Sequence, residues 1–258
     1  MNIVTIMNYP DSKHYNKMCC LFIESILINN TECNIFVLYD NTLGISKNIV
    51  NFIKRKYDNS VKFLPVSKKN NAFIDTHNIN FKLYNLTKIK EPFIFIDADT
   101  VCLEKLDFLW SKRNEKPFIG CLHQRIPKHL DDVEDMFLNS GVQVVGDTSW
   151  YDWDKISDTH YKIGGKYTVK GFDQAILHEY CKNHNYDYTH PSITPAWNSC
   201  AGYTEITKVD DKWCGEFIDP SGNKNLNYKV FINHYWDEFK PWEINCPIYN
   251  SFEYEEED

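Results

Sequence analysis

The stretch Phe93-Ile94-Phe95-Ile96-Asp97-Ala98-Asp99-Thr100-Val101 has four large apolar residues directly before two acids. A short, continuous apolar run of this kind is typical of a strand buried on both faces of a parallel sheet. In an extended segment, residues i and i+2 point the same way. The carboxylates of Asp97 and Asp99 can therefore converge on one divalent cation while Ala98 stays small. Such an acid pair also occurs at helix caps and in loop ion pairs, and the residues alone leave that alternative open.

The chain before this stretch alternates strand-like and helix-like segments, which predicts an α/β fold with a parallel sheet. Strands are predicted at Ile3–Met7, Asn34–Tyr39, Val61–Pro65 and Pro92–Ile96, and helices at Lys13–Asn29, from a cap at Ser46 to about Tyr57, and at Asn78–Thr87. The acid pair then lies at the carboxyl-terminal edge of the sheet, where ligands of open α/β folds bind.

The chain beyond about residue 105 has a less regular pattern that mixes α and β elements. We expect a short helix at Leu106–Trp110, strands at Phe118–His123 and Gly141–Val145, and a helix at Gly171–Asn183. Because the sequence contains no repeat and no linker, residues 1–258 are predicted to form a single domain. Its first half covers about 1–105, its second about 106–245, and an acidic tail occupies 253–258.

The composition narrows the classes of partner and compartment. A chain of 258 residues that is 43% hydrophobic can bury a core, and its net charge of -8 argues against binding to nucleic acid. Nine cysteines without paired spacings indicate free thiols in a reducing compartment. With no secretory signal and no apolar run long enough for a membrane span, we expect a cytoplasmic protein, or one of the host cytoplasm if it is viral. The sequence leaves a homodimer open.

Five segments carry a more specific signal through their order along the chain. They are Ile3–Asn8 with Tyr15, Asn80–Leu86 with Phe93–Val101, Asn139-Ser140-Gly141-Val142, Gly171-Phe172-Asp173-Gln174 through Leu177, and His234 followed by Lys240-Pro241-Trp242. Together they resemble the motifs of the glycogenin-like branch of the family-8 glycosyltransferases. The resemblance implies the GT-A fold, which is a Rossmann-like, mostly parallel central sheet flanked by helices. In that fold the first half would bind the nucleotide, and the mixed α/β second half would bind the acceptor.

The resemblance also implies a chemistry and a set of site residues. The donor would be a UDP-sugar bound with Mn²⁺ or Mg²⁺, and a hexose or pentose would pass with retention to a carbohydrate or glycoprotein acceptor. The implied metal ligands are Asp97, Asp99 and His234. The implied donor-binding residues are Thr5, Asn8 and Tyr15 for the uridine, Lys82 and Lys240 for the phosphates, and Asp97, Ala98, Asp99, Asn139 and Ser140 around the metal and the sugar. The implied catalytic residues are Asp173, Gln174 and Lys82.

Ordinary structural roles remain open for the same residues. These are a core histidine at His234, solvated lysines at Lys82 and Lys240, a helix-face aromatic at Tyr15, a turn at Asn139–Gly141 and a helix cap at Asp173. Two other functions also stay open: a nucleotide-sugar-binding protein of this fold without turnover, and a metal-dependent nucleotidyltransferase. A glycine-rich phosphate loop would favour the latter, and the first turn, residues 8–11, has no glycine.

Departures from the family pattern limit what the resemblance implies. Asp237 stands where the family usually has a glycine, so the loop over the phosphates is expected to differ. Glycogenin glucosylates its own tyrosine, yet no tyrosine lies between His190 and Trp197, and Tyr188 is the nearest. We therefore expect a separate acceptor. The segment Trp150–Asp154 is either a sugar-stacking platform or a half-buried loop.

Overall fold

The computed structural model describes residues 1–7, 9, 12–57, 60–67, 79–122, 138–163, 172–218, 224–235 and 239–254. The predictions made for Asn8, Gly171 and Asp237 lie outside these residues, as does the end of the acidic tail.

The helices and strands predicted for the first half are found within about two residues of their predicted bounds, whereas the short strand at Thr100–Cys102 was not predicted. The strands are β1 (Asn2–Met7), β2 (Asn34–Asp40), β3 (Val61–Val66), β4 (Phe93–Ile96), β5 (Thr100–Cys102), β6 (Phe118–Leu122), β7 (Leu138–Val145), β8 (Ser199–Cys200), β9 (Thr204–Val209), β10 (Lys212–Ile218), β11 (Lys224–Val230) and β12 (Ile232–His234). The helices are α1 (Lys13–Asn29), α2 (Lys47–Lys56), α3 (Ile79–Leu86), α4 (Asp107–Ser111), α5 (Trp153–Ile163), α6 (Phe172–Asn183) and α7 (Pro247–Ser251).

Six strands form the central sheet in the order β3, β2, β1, β4, β7, β6. Strand β1 pairs in parallel with β2 on one side and with β4 on the other, whereas β7 runs antiparallel to β4 and β6. The chain thus moves outward from β1 to β3 and then adds β4 on the opposite side of β1. Open α/β sheets bind ligands where the strand order reverses in this way. The predicted mostly parallel sheet is confirmed, and the acid pair follows β4 at this point.

Strand β4 is fixed by apolar packing on both of its faces. All four of its residues are buried. Ile94 and Ile96 pack into the layer that contains α1 and α2, while Phe93 and Phe95 pack into the layer that contains α3 and α6. Because side chains alternate along a strand, an uninterrupted apolar run serves two helical layers at once. The acids that follow the strand are therefore attached to a fully buried part of the sheet.

A second, small sheet joins distant parts of the chain beside the acid pair. Its order is β5, β12, β8, and β12 pairs antiparallel with β5 and parallel with β8. In this register His234 lies opposite Thr100 on one side and Cys200 on the other. Residues that are more than 100 positions apart in the sequence are thereby brought next to the end of β4.

The second half differs from its prediction in several places. Strand β7 begins at Leu138 rather than at Gly141, because its pairing with β6 continues past a register shift at Gly120 and Cys121. The interpretation of Asn139–Gly141 as a turn was wrong, since these residues lie in a buried strand. Helices α5 and α7 and the antiparallel sheet of β9, β10 and β11 were not predicted. Ser46 precedes α2, but its side chain makes no capping hydrogen bond.

None of the nine cysteines forms a disulfide, and every one except Cys214 is buried. Burial raises the pKa of the thiol of Cys19 to about 12, and it also raises the pKa of six further buried cysteines: Cys20, Cys33, Cys102, Cys121, Cys181 and Cys246. A thiol that stays protonated is a poor nucleophile, so we assign the buried cysteines to packing. None of the helices in the described ranges combines the length and apolar character that crossing a membrane requires.

The packing of β4 predicts a large stability difference between two isoleucines. Ile94 is fully buried and Ile28 is 67% exposed. We expect Ile94→Ala to lower the free energy of unfolding by about 2–5 kcal/mol, and Ile28→Ala to change it by less than about 0.5 kcal/mol. Equilibrium urea unfolding of both variants measures the difference. Equal losses would contradict the proposed position of β4 in the core.

Candidate active site

The acid pair is anchored by backbone contacts to two other strands. The Asp97 amide donates a hydrogen bond to the carbonyl of Gly141 in β7 at 2.8 Å, and the carbonyl of Asp99 accepts one from the Tyr235 amide at 2.8 Å. The Thr100 hydroxyl donates to the Asp97 carbonyl at 2.9 Å. The turn that carries the two carboxylates is therefore held between the central sheet and the small sheet.

His234 joins the two acids to form a cluster of potential metal ligands. One ligand atom from each of Asp97, Asp99 and His234 lies within 4.8 Å of the others. His234 Nε2 is 3.1 Å from Asp99 Oδ1 and 3.8 Å from Asp97 Oδ2. Two carboxylates and one imidazole are ligands that a divalent ion such as Mn²⁺ accepts. The residues present thus fit the cation that the sequence resemblance implies.

The close approach of the His234 ring explains why residue 141, in the strand beside this cluster, is a glycine. A Cβ atom at this position would lie 2.5 Å from Cε1 and 2.6 Å from Nδ1 of His234. Such distances are far inside van der Waals contact, so any larger residue would displace the imidazole. The glycine of the Asn-Ser-Gly segment is therefore required by close packing against the ring.

Lys240 and Lys82 each neutralise a different acid of the pair. Lys240 Nζ donates to Asp99 Oδ2 at 2.6 Å and to the Tyr235 carbonyl at 2.8 Å. Lys82 Nζ lies 2.9 Å from Asp97 Oδ1 and 3.0 Å from Asp173 Oδ2. Both lysine side chains are mostly buried, at 14% and 12% exposure. The predicted alternative of solvated lysines does not describe either residue.

Asp173 lies beside the Asn-Ser-Gly strand in a fixed orientation. Its Oδ2 accepts a hydrogen bond from the Ser140 hydroxyl at 2.6 Å in addition to the ion pair with Lys82. Gln174 Oε1 accepts one from the Ser140 amide at 3.3 Å. Asn139 is buried, and its Oδ1 accepts from the Gly141 amide at 2.8 Å. These contacts tie the start of α6 to β7 and bring the predicted catalytic residues next to the acid pair.

Burial and the charges in the site shift the pKa values of its three carboxyl groups in definite directions. Burial alone would raise the pKa of Asp99, but His234 and Lys240 outweigh it and hold that pKa below its usual range. Burial opposes the ionisation of Asp173, but Lys82 and Ser140 favour it more strongly. The pKa of Asp173 is therefore also lowered. Burial raises the pKa of Asp97, although Lys82 and His234 oppose it. A clustered set of buried groups with shifted pKa values is characteristic of functional sites.

Lys82 keeps its charge in this environment. Burial by itself would lower its pKa, but Asp173 and Asp97 outweigh burial, and the pKa ends above its ordinary value. The ammonium also lies 4.4 Å from the centroid of the Phe95 ring, which adds a cation–π contact. Lys82 is therefore a permanently charged bridge between the carboxylates of Asp97 and Asp173.

Of the residues predicted to bind the uridine, Tyr15 belongs to an aromatic group that it forms with Tyr9 and Trp242. Tyr15 stacks on Tyr9 at 4.4 Å and 4°, and its ring meets the edge of Trp242 at 5.0 Å. The charge of Asp99 raises the pKa of Tyr9, with burial and Asp97 adding to the effect, so this group borders the acid pair. Thr5 is fully buried, and its hydroxyl has no hydrogen-bond partner among the described residues. The uridine contacts remain a prediction.

The aromatic segment after β7 belongs to the core. Trp150 stacks on Phe118 at 4.1 Å, and Tyr151 is buried with its hydroxyl donating to Gln143. Of the two interpretations of Trp150–Asp154, the structure supports the packed loop for these two rings.

Two residues of the site were missed in the sequence. Tyr9 could have been noticed as an aromatic just beyond the carboxyl end of β1. Asn198 Oδ1 lies 2.9 Å from His234 Nδ1, but the contact spans 36 positions and has no local pattern that would reveal it.

Solved structures with the same architecture are glycosyltransferases. The galactosyltransferase LgtC, in a complex with donor and acceptor sugar analogues, superposes with a TM-score of 0.60 at 16% identity over 95% of this chain and 91% of LgtC. GlyE of Streptococcus pneumoniae TIGR4 gives 0.58 at 14% identity over 93% of this chain and 55% of GlyE, so this chain spans about half of GlyE. Mouse xyloside xylosyltransferase 1 gives 0.53 at 11% identity over 78% of this chain and 87% of that enzyme.

Identities this low establish the fold and nothing finer. The predicted GT-A fold is confirmed by these neighbours. No protein-family model matches the sequence, and a comparison with curated proteins gave no match.

The bridging position of Lys82 predicts a specific pattern of stability losses. In metal-free buffer, Lys82→Met leaves two carboxylates without their shared counter-charge, and we expect a loss of about 3–5 kcal/mol in unfolding free energy. Adding Asp173→Asn removes one of these charges and should restore part of that loss. Denaturant unfolding of the single and double variants measures this coupling.

The matched control is Lys162→Met, which removes an ammonium whose side chain is 69% exposed and paired with Asp158. It should change stability by less than about 0.5 kcal/mol. Strictly additive effects of Lys82→Met and Asp173→Asn would contradict the bridge.

Proposed function

We propose that the protein is a metal-dependent, retaining glycosyltransferase that transfers a hexose or pentose from a UDP-sugar to a separate carbohydrate or protein-linked glycan. The observation that carries this proposal is the Asp97, Asp99 and His234 cluster at the reversal of strand order in the central sheet. The glycosyltransferase neighbours of the same fold support it.

The cluster would hold the cation, and the lysines supply charge around it. A bound Mn²⁺ or Mg²⁺ supplies Lewis-acid stabilisation of the negative charge that grows on a departing diphosphate. Lys240, which lies 2.6 Å from Asp99, places a further positive charge next to the ligand cluster. As a point charge on a flexible stem it suits a phosphate oxygen. Lys82, which is paired with both Asp97 and Asp173, would fix the position of these two carboxylates relative to each other.

Asp173 and Gln174 would act at the sugar. Transfer with retention proceeds either through a carboxylate nucleophile or by attack on the face from which the diphosphate leaves. The hydrogen bond from Ser140 and the ion pair with Lys82 keep Asp173 anionic in one orientation. An oriented anion stabilises positive charge that develops at the anomeric carbon, which serves either route. Asn139 and Ser140 would position the donor sugar from β7.

A separate acceptor is supported by the surroundings of Tyr188. This tyrosine, the nearest to the position of a self-modified residue, is only 7% exposed, and its hydroxyl is 3.1 Å from His178 Nδ1. Burial raises the pKa of its phenol to about 12. A buried, protonated phenol held by a hydrogen bond is a poor acceptor for a sugar.

The proposal is tested by incubating the protein with a panel of UDP-hexoses and UDP-pentoses and measuring UDP release with Mn²⁺ and with EDTA. We expect release from at least one donor, and only with the metal. Asp99→Ala should lower the rate on the order of 100-fold or more, because it removes a charged ligand of the cation. The matched control Asp158→Ala removes an acid of α5 whose side chain is 59% exposed, and it should leave the rate unchanged.

Undiminished turnover in Asp99→Ala would overturn the proposal. Metal-dependent donor binding without any turnover would instead identify a binding protein, and release of a nucleoside monophosphate would identify nucleotidyl chemistry. The anomeric configuration of an isolated product, read by NMR, tests retention, and inversion would refute that part of the mechanism.

A further inference from the structure

Asn198 is a buried amide that touches the histidine of the cation cluster. It ends a 3₁₀ turn at Pro195–Asn198 and is fully buried. Its Oδ1 lies 2.9 Å from His234 Nδ1, while Nε2 of the same ring is directed at Asp99 Oδ1 at 3.1 Å. An amide oxygen can only accept a hydrogen bond. A proton held on Nδ1 by this oxygen makes Nε2 the nitrogen that faces the two carboxylates, where it donates to Asp99 Oδ1 when it carries a proton and offers its lone pair to a cation when it does not.

The position of the amide is fixed by the turn on which it lies. Trp197 stacks on Phe231 at 4.3 Å and on Phe108 at 5.7 Å. The Phe231 amide donates to the carbonyl of Ala196 at 2.8 Å, so the turn is joined to the segment just before β12. The strand after Asn198, β8, pairs directly with β12. Asn198 and His234 are thus held by one small sheet and cannot shift independently.

The amide is not placed there for stability alone. Its Nδ2 is buried and has no hydrogen-bond partner among the described residues. An unsatisfied buried donor costs about 1–3 kcal/mol, whereas an apolar residue of similar size would cost nothing of this kind. Among the residues that the structure describes, the oxygen of this amide has a partner and its nitrogen has none, and the partner of the oxygen is the imidazole.

We propose that Asn198 is a positioning residue that fixes His234 with the proton on Nδ1 and directs Nε2 to the cation site. This inference rests on the proposed function for the identity of the bound group, but the contact itself belongs to the chain. Partners that hold the second nitrogen of a histidine ligand set its tautomer and ring orientation. Gly141 packs closely against the imidazole ring of His234, and the contact with Asn198 sets the rotation of that ring.

The test is the affinity for Mn²⁺ alone, obtained from the EPR signal of free Mn²⁺ in titrations without donor or acceptor. Asn198→Leu removes the acceptor at similar volume and should weaken binding by about 10–100-fold. Asn198→Asp keeps an acceptor and should bind at least as tightly as the wild-type chain. If the amide instead donated from Nδ2 to His234, an ionised Asp could not replace it, and both variants would lose affinity.

A double-mutant cycle shows whether the effect passes through the ring. In the His234→Ala background, Asn198→Leu and Asn198→Asp should each leave the dissociation constant unchanged, because the residue they would act on is gone. Effects that persist in that background would show a general charge or packing role and overturn the proposal. Near-UV circular dichroism checks the fold, and Asn198→Ala replaces the leucine variant if the latter is unfolded.

Failure of this inference differs from failure of the proposed function. If His234→Ala and Asp99→Ala bind Mn²⁺ as tightly as the wild-type chain, the cation cluster itself is refuted. If both lose affinity while Asn198→Leu does not, the cluster stands and the positioning role of Asn198 is refuted.

Discussion

The structure depends on the neutralisation of three neighbouring carboxylates at the edge of a buried strand. Asp97, Asp99 and Asp173 have side-chain exposures of 25%, 9% and 15%, and each is paired with a lysine. Because unpaired charges in such surroundings are costly, the lysines and the acids have to be positioned together. Lys82 comes from α3 and Lys240 from the segment after β12, so this one electrostatic requirement joins both halves of the chain.

The two sheets provide the rigid frame for these charges. The central sheet supplies Asp97 at the end of β4 and Ser140 in β7, and the small sheet supplies His234 in β12. Two backbone hydrogen bonds connect the two sheets at the turn between them. The Asp97 amide donates to Gly141, and the Tyr235 amide donates to Asp99. Groups held on rigid strands keep their relative geometry, which is what a ligand cluster needs.

The sequence predicts the parts of this arrangement that depend on local pattern. The apolar run of β4 and the spacing of Asp97 and Asp99 are local, and the alternation of strands and helices leads directly to the sheet. The strand predicted to begin at Gly141 begins at Leu138 because pairing with β6 extends β7, and such pairing is a tertiary effect. Asn198 escaped notice because its contact with His234 forms only after folding, whereas the position of Tyr9 just beyond β1 could have been read from the sequence. The prediction of His234 as a metal ligand rested on family resemblance. The register of β12 with β5 places this residue beside the acid pair.

The central claim is that residues from both sheets form one cation site beside a nucleotide. The most direct measurement is anomalous diffraction at the manganese absorption edge from crystals grown with Mn²⁺ and UDP. The account predicts one strong anomalous peak in contact with carboxylate oxygens of Asp97 and Asp99 and with Nε2 of His234, and with UDP density next to it. Bound UDP with no peak at these three residues, or with the peak elsewhere, would contradict it.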